Sequence, residues 1–540
     1  MTPTAIVVGS GPAAAGAVDA LVEQGLAVTV LDVGIRLDDQ ARDAVQRMSQ
    51  TTPEKWSSTD LDTITARDHP ETETVHSKRS FGSGYAFDDC NNALRVDWDG
   101  PKGFNHSLSY GGLTNVWGSS MLPYRPEDIR DWPFPHADLI PHYRAIMRLV
   151  PCTEGRDDDI EAILPSYSEQ THRIRLSRQG QSLLDDLQKN RTSLMRSGLR
   201  FGRARLAISA QDAAGRDACQ YCGLCLSGCP YSLIYSTAHS FDRWIAENRI
   251  TYLAGHLVER VEPTTDGAVV HGTHLADGRP FRIEAGKAFI AAGVLPTARI
   301  ILNSRPDLGG PLTLRDSQSF LYPVLRFKSA GDVATERMHT TTQLFMELED
   351  PSVSRHLVHI QIYGYSEFLR QEIMRTFLRI PLAWPWLRRQ FFGRLLIAQG
   401  FIHSTDCGNV ALSRKPDPDG PERLLASPVR TWRSIRVVLM IGLKMLRHCK
   451  TLGALCLMPG VQIPRPGASY HTGGTFPMSK QPGPGETDTL GRLHGWQSIH
   501  IVDSSVFPSI PATSIVMSAM ANARRIATEA FRDPPPQNGS

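Results

Sequence analysis

The sequence predicts an α/β chain whose first part is built on a parallel sheet, followed by an α+β part built on an antiparallel sheet. Three stretches carry this expectation. Residues 5–34 read as strand, turn, helix and second strand; residues 251–304 read as paired strands that end in a buried strand and a helix; residues 312–365 alternate apolar and polar side chains. Strand–helix alternation calls for a parallel sheet, and strict alternation calls for a sheet with one covered face.

The opening stretch holds the most local detail. Ala5 to Val8 is a short apolar run suited to a strand buried on both faces, and it ends in Gly9-Ser10-Gly11-Pro12-Ala13-Ala14. Pro12 stands at the first helical position and Gly25 where the helix should stop. The second strand is closed by Asp32, 21 residues after Gly11. In a dinucleotide-binding unit of the Rossmann type, Gly9 permits the tight turn, Gly11 lets backbone N–H groups approach a pyrophosphate, and Ala14 packs helix on strand. Asp32 then accepts hydrogen bonds from ribose hydroxyls. The motif alone leaves NAD and FAD equally open.

Composition excludes several classes. The chain has 540 residues, 41% of them hydrophobic, and a formal charge of +3 from 58 basic and 55 acidic residues. It is long enough for two parts sharing a large core, and the balanced charge implies no nucleic-acid partner. The first strand follows directly on Met1-Thr-Pro-Thr, which leaves no secretory leader, and no run of 18 uncharged apolar residues occurs. The expected location is cytoplasmic.

Residues 36–79 are polar and weakly periodic, and are expected to form an irregular surface excursion. Residues 107–123 form a Gly/Ser/Thr turn cluster. Gly111 and Gly112 could bring backbone close to a large planar ligand, with Thr114 or Asn115 offering polar contacts. A plain loop explains the composition equally well.

Cys219, Cys222, Cys225 and Cys229, followed by Pro230, repeat the spacing of a bacterial ferredoxin run. Zinc sites generally use two separated pairs. One [4Fe–4S] or [3Fe–4S] cluster on these cysteines and a tight loop of reduced thiols are both compatible with the run.

Residues 366–400 carry six Arg against two Glu, interleaved with Phe377, Trp384, Trp386, Phe391 and Phe392. This pattern suits an amphipathic lid packing on its own protein, or peripheral contact with an anionic bilayer. Residues 432–457 read as a further helix. Near the end, His471 stands beside Gly473 and Gly474, where a ring held by a tight turn can act as a base. A buried strand then runs into Asp503, and a last helix covers residues 514–528.

Taken in order, these segments resemble the glucose-methanol-choline (GMC) oxidoreductase family. The resemblance rests on the turn at Gly9 to Ala14, GGLTNVWG at Gly111, AFIAAGVLPTARIIL at Ala288, HTGGTFPM at His471 and HIVDSSVFPS at His500. In its GG loop the chain looks most like pyranose oxidases and related sugar dehydrogenases. The resemblance implies the GMC fold and FAD, with Asp503 as a flavin contact and Val258 and Gly293 near the adenine end. No His lies between Ser107 and Pro123, so the FAD is expected to be non-covalent. Some sugar dehydrogenases of this family also work with a cysteine-bound iron–sulfur cluster.

The implied activity is oxidation of a CH–OH group, a secondary hydroxyl of a sugar or glycoside, by hydride transfer to FAD with His471 as base. The family places a second His or Asn after the Asp-Ser strand. Residues 509–514 hold neither, and Thr513 or Ser514 is expected to hold the substrate hydroxyl instead. A quinone or a redox protein would receive the electrons, through the cluster if one is present, and contact through 366–400 would put the protein on the inner membrane face. The alternatives are a non-redox FAD-dependent lyase or isomerase and a membrane-docked flavin electron-transfer protein. The expected parts are an FAD-binding domain at 1–310 with the Cys-rich loop 219–230, a substrate domain at 311–465, a return to the FAD-binding domain at 466–530, and a disordered tail at 531–540.

Overall fold

The computed structural model describes residues 4–66, 79–87, 93–100, 106–153, 158–169, 172–211, 218–376, 385–418 and 422–532. Phe377 and Trp384 of the expected lid, and the tail beyond residue 532, lie outside the described residues.

The parallel sheet has five strands in the order Ile499–Ile501, Lys287–Ile290, Thr4–Val8, Ala27–Leu31, Thr251–Leu253. Its central strand pairs Ala5 with Val28 on one side and with Lys287 on the other. Thr4–Val8 and Lys287–Ile290, at the middle of the sheet, are mostly buried apolar runs, as a covered parallel sheet demands. The first helix spans Pro12–Glu23, and Gly25 takes φ +73° just past its end. It packs on the last helix, Ile515–Ala530, so closely that a Cβ on Gly16 would lie 2.1 Å from the Met520 carbonyl oxygen.

The 251–304 stretch folds as expected, into a three-stranded antiparallel meander, the buried strand Lys287–Ile290 and the helix Val294–Ser304. The polar excursion after Arg36 is more ordered than its composition predicts. It forms helices Asp39–Ser49 and Ser58–Thr65, capped by the side chains of Asp38 and Ser57. Ala41, Ala44 and Met48 give the first of these one narrow buried stripe, and Ala44 and Met48 pack against Ile64. Such a stripe is easily overlooked among charged neighbours.

A six-stranded antiparallel sheet covers the cavity described below. Its strands include Ser319–Arg326, Leu344–Leu348, Val358–Tyr363 and Leu395–Phe401. The period of two divides it cleanly. Phe320, Tyr322, Ile360, Ile362, Leu396 and Ala398 join an apolar core with the helix Trp432–Arg447, while Ser319, Leu321, Gln361, Tyr363, Gln399 and Phe401 face the cavity. The end of the 366–400 stretch is therefore a roof strand. Its preceding helices, Glu367–Thr376 and Pro385–Phe392, bring Phe368 and Leu369 to the cavity and pack Phe392 against Val333 and Leu395. Two earlier strands also join the sheets of the second part: Leu199–Arg203 pairs antiparallel with Leu344–Leu348, and Val96–Trp98 pairs parallel with Arg423–Val429.

Candidate active site

Between the parallel sheet and the roof lies a cavity of about 500 Å3. At one end stands the nucleotide turn. Gly9 has φ +103°, and a Cβ there would meet the Ala291 carbonyl oxygen at 2.7 Å, so the turn needs glycine on both counts. A Cβ on Gly11 would meet nothing within 4 Å, although Gly11 lines the cavity. The sequence keeps that space open for something other than protein. Ala14 is fully buried in the helix-to-sheet packing.

Asp32 closes this end. Its Oδ2 accepts from the Ser10 hydroxyl and, at 2.9 Å, from the Tyr252 hydroxyl. Burial pushes its carboxyl up to about 6, against the pull of these hydrogen bonds. The Ser10 hydroxyl also receives the Gly111 N–H at 2.9 Å, which fastens the GG loop to the nucleotide turn. Val258 lines the same end.

The GG loop lies directly on that turn: a Cβ on Gly112 would come 3.1 Å from the Gly11 Cα. Gly112 and Thr114 line the cavity. Gly111 and Asn115 do not. Asn115 receives the Ser236 hydroxyl at 2.8 Å and donates to Ser109 and to the Tyr110 carbonyl, so its amide holds the loop's shape.

Asp503 does not stand at the far end of the cavity: it accepts from the Gly293 N–H at 2.9 Å, directly after the Ala291-Ala292 segment that packs on Gly9, and from the Thr297 hydroxyl at 2.5 Å and the Ser505 N–H at 2.9 Å. Burial raises its carboxyl above the usual range. His471 stands close by in the wall. The segment that carries it is stitched to the one that carries Asp503 by Gly474 N–H to Ser504 C=O, Phe476 N–H to Ser505 C=O and Met478 N–H to Val506 C=O, each 2.8–2.9 Å. The imidazole stacks on Phe401 with centroids 4.4 Å apart. Its Nδ1 is buried without a partner, and burial depresses the ring to about 3, with His359 adding to the effect. The ring is neutral at ordinary pH.

Of the two residues expected to hold the substrate hydroxyl, Thr513 and Ser514, the structure places Ser514 on the cavity. Thr513 does not line the cavity, and its hydroxyl donates to the Pro123 carbonyl at 3.3 Å. Ser514 does line it, as the N-cap of Ile515–Ala530, with its Oγ receiving the Leu122 N–H. The amino end of a 16-residue helix thus opens on the cavity, where free N–H groups and the helix dipole favour electron-rich groups.

The roof adds a polar chain that motif reading missed. Glu347 and His359 are direct cross-strand partners, fully buried, with Oε1 and Nδ1 2.7 Å apart. His359 Nε2 receives the Gln361 amide N–H at 3.1 Å, and Gln361 Oε1 receives the Tyr363 hydroxyl at 2.8 Å and the Thr342 hydroxyl at 3.2 Å. Each donor is fixed by the next acceptor, so the Tyr363 oxygen presents lone pairs to the cavity. The signal was present in the sequence, since positions 359, 361 and 363 alternate onto one face.

The four clustered cysteines are half-buried. Burial and then the neighbouring Cys225 push the Cys222 thiol up to about 12, and the same two causes raise Cys229. Among the described residues no three His, Cys, Asp or Glu side chains are grouped as ligands of a metal ion.

FAD suits the cavity on this chain's own features: the open space over Gly11, the buried ribose-type acid Asp32, the helix amino end at Ser514 and the orphaned His471 Nδ1. Comparison with known proteins agrees. The GMC oxidoreductase family model matches residues 463–523, which contain His471, Asp503 and Ser514. A 6'''-hydroxyparomomycin C oxidase of Streptomyces lividus is 24% identical over 569 residues, covering 98% of this chain and 92% of that protein. Among solved structures, pyridoxine 4-oxidase from Mesorbium loti superposes with TM-score 0.59 at 14% identity over 99% of this chain and 100% of that one. A formate oxidase of Aspergillus oryzae superposes with TM-score 0.60, also at 14% identity, over 98% and 99%. Motif, full-length relative and fold converge: residues 463–523 match the GMC oxidoreductase model, the whole chain resembles that family, and the protein is an FAD-dependent oxidoreductase.

Proposed function

We propose that the protein oxidises a secondary hydroxyl of a sugar or glycoside to a ketone, with His471 as the base. The observation that carries this is the neutral, half-buried His471 ring in the cavity wall, fastened to the Asp503 segment and lacking any protein partner at its buried Nδ1. Bound in the cavity, FAD supplies the acceptor for the carbinol hydride. Asp32 and the N–H groups around Gly11 hold the nucleotide end. Asp503 stiffens the Gly293 turn, and the helix that begins after Ser514 turns its positive end toward the cavity, where it would favour electron-rich groups of the cofactor. His471 takes the hydroxyl proton at Nε2, the nitrogen not sealed behind the wall. Phe401 fixes the ring plane, and the apolar side chains Phe368 and Leu369 exclude water.

The polar roof supports a polyhydroxylated substrate: Gln361, Gln399 and Tyr363 offer hydrogen bonds that a plain long-chain alcohol would leave unmade. The Streptomyces relative is named for oxidation of a hydroxylated paromomycin, which fits the same class. Among the described residues no metal-ligand group includes Cys219, Cys222, Cys225 and Cys229, and no electron-transfer step is drawn through them. Anaerobic flavin bleaching against sugars, glycosides, sterols and long-chain alcohols, with turnover scored with and without an acceptor, tests the reading. Bleaching by sterols alone, or turnover that needs no acceptor, overturns it.

A further inference from the structure

The helix Trp432–Arg447 is apolar on two faces. One face, Val437, Val438, Ile441 and Met445, is buried against the back of the roof sheet, and the Tyr322 hydroxyl donates to the Val438 carbonyl at 2.8 Å. The other face puts Trp432, Ile435, Leu439 and Leu443 into solvent, at 73%, 48%, 39% and 42% exposure. These four fall at i, i+3, i+7 and i+11, which is one line along the helix. Scattered exposed leucines are ordinary; an apolar helix that leaves a whole line uncovered is not.

Charge says what covers it. Between Arg430 and Lys450 the chain has six cationic side chains and no acid. Arg433 pairs with Asp406 and Lys444 with Asp350. Arg436 and Arg447, four places after Trp432 and Leu443, border the apolar line and are exposed, as are Arg430 and Lys450. A second copy docked about a two-fold axis would set these cations against their own images. A single helix ridge also offers no pocket for an acidic protein's anchor residue. A tryptophan at one end, aliphatic side chains along one line and arginines beside it match the layering of headgroup, glycerol and acyl chain.

We propose that Trp432–Arg447 is an interfacial helix that seats the enzyme on an anionic lipid surface, with Trp432, Ile435, Leu439 and Leu443 in the acyl boundary and Arg436 and Arg447 on lipid phosphates. No helix among the described residues is long and apolar enough to cross a membrane, so the contact is peripheral. The surface lies behind the roof sheet, on the side away from the cavity, so flavin loading and turnover in solution do not depend on it.

The test is co-sedimentation of the flavin-loaded full chain with vesicles of equimolar phosphatidylcholine and phosphatidylglycerol, and with phosphatidylcholine alone. Binding to the anionic vesicles should be at least about tenfold stronger and should weaken by a similar factor between about 0.1 M and about 0.5 M salt. Ile435→Ser/Leu439→Ser/Leu443→Ser and Arg436→Glu/Arg447→Glu should each lower it about tenfold, with thermal unfolding and flavin content unchanged. Absent binding, equal binding to both vesicles, or binding that survives either set of substitutions overturns the proposal. So does a dimer in solution that the triple serine variant dissociates, which would make a second copy the occupant.

Discussion

The Tyr363 hydroxyl donates to Gln361, which donates in turn to His359, which is bonded to Glu347 directly across the sheet. Four side chains on two strands thereby set the polarity of one atom over the cavity. Tyr363→Phe removes that acceptor and leaves the sheet intact. KM for the substrate should rise about fivefold, the value of one net hydrogen bond, with kcat changed less than about twofold. Steady-state kinetics decide it; an equal fall in kcat would mean that Tyr363 acts in the transition state instead.

His471→Ala should lower the rate of flavin reduction by about 10²- to 10⁴-fold, the usual worth of a general base. Flavin content should stay unchanged, because none of the nucleotide-binding contacts passes through this ring. Anaerobic stopped-flow on the bleaching of bound flavin separates the two quantities.

Burial sets the pH profile. A free histidine loses its function as a base below pH 6.5, but His471 is depressed to about 3. Burial disfavours the protonated ring, so its neutral form persists as pH falls from 6.5 toward 3. The acid limb of flavin reduction should therefore lie below about pH 4.5. Jumping the pH in the stopped-flow mixer reads the limb before the fold responds, and a limb near 6.5 would remove His471 from the role.

Asp32→Asn replaces the buried acceptor of the nucleotide end. Hydrogen bonds to a carboxylate are worth about 2 kcal/mol, so FAD affinity should fall roughly thirtyfold. Flavin released on dilution, followed by its fluorescence, measures this. Turnover per bound flavin should be preserved.

Two glycines in one turn and helix should fail in different ways. Gly16→Ala drives a Cβ into the Met520 carbonyl and should lower stability by about 2 kcal/mol, seen as a lower urea midpoint at constant m. Gly11→Ala meets no protein atom, so the fold should persist while flavin is lost.

The first strand, turn and helix were legible because their causes are local: Pro12 starts the helix, Gly25 follows its end, and Asp32 ends the second strand. What was not legible depends on partners far along the chain. Tyr252 holds Asp32 from 220 positions away, and Glu347 becomes a partner of His359 only once the strands are in register. Thr513 and Ser514 differ by one step at a helix start, and only the helix phase decides which faces the cavity. The helices of residues 39–65 were hidden because three small or apolar side chains among many charges suffice to seat a surface helix.

The packing of Gly16 on Met520, with the strand Ile499–Ile501 at the sheet's edge, has a consequence for the order of assembly. A chain emerging from the ribosome presents the nucleotide turn first but cannot seat its helix until residue 520 has been made. The cavity-lining residues His471 and Ser514 arrive in the same segment. The first helix is thereby tied to the synthesis of residue 520, and a nascent chain stalled before residue 499 would leave the apolar flank of that helix without its partner.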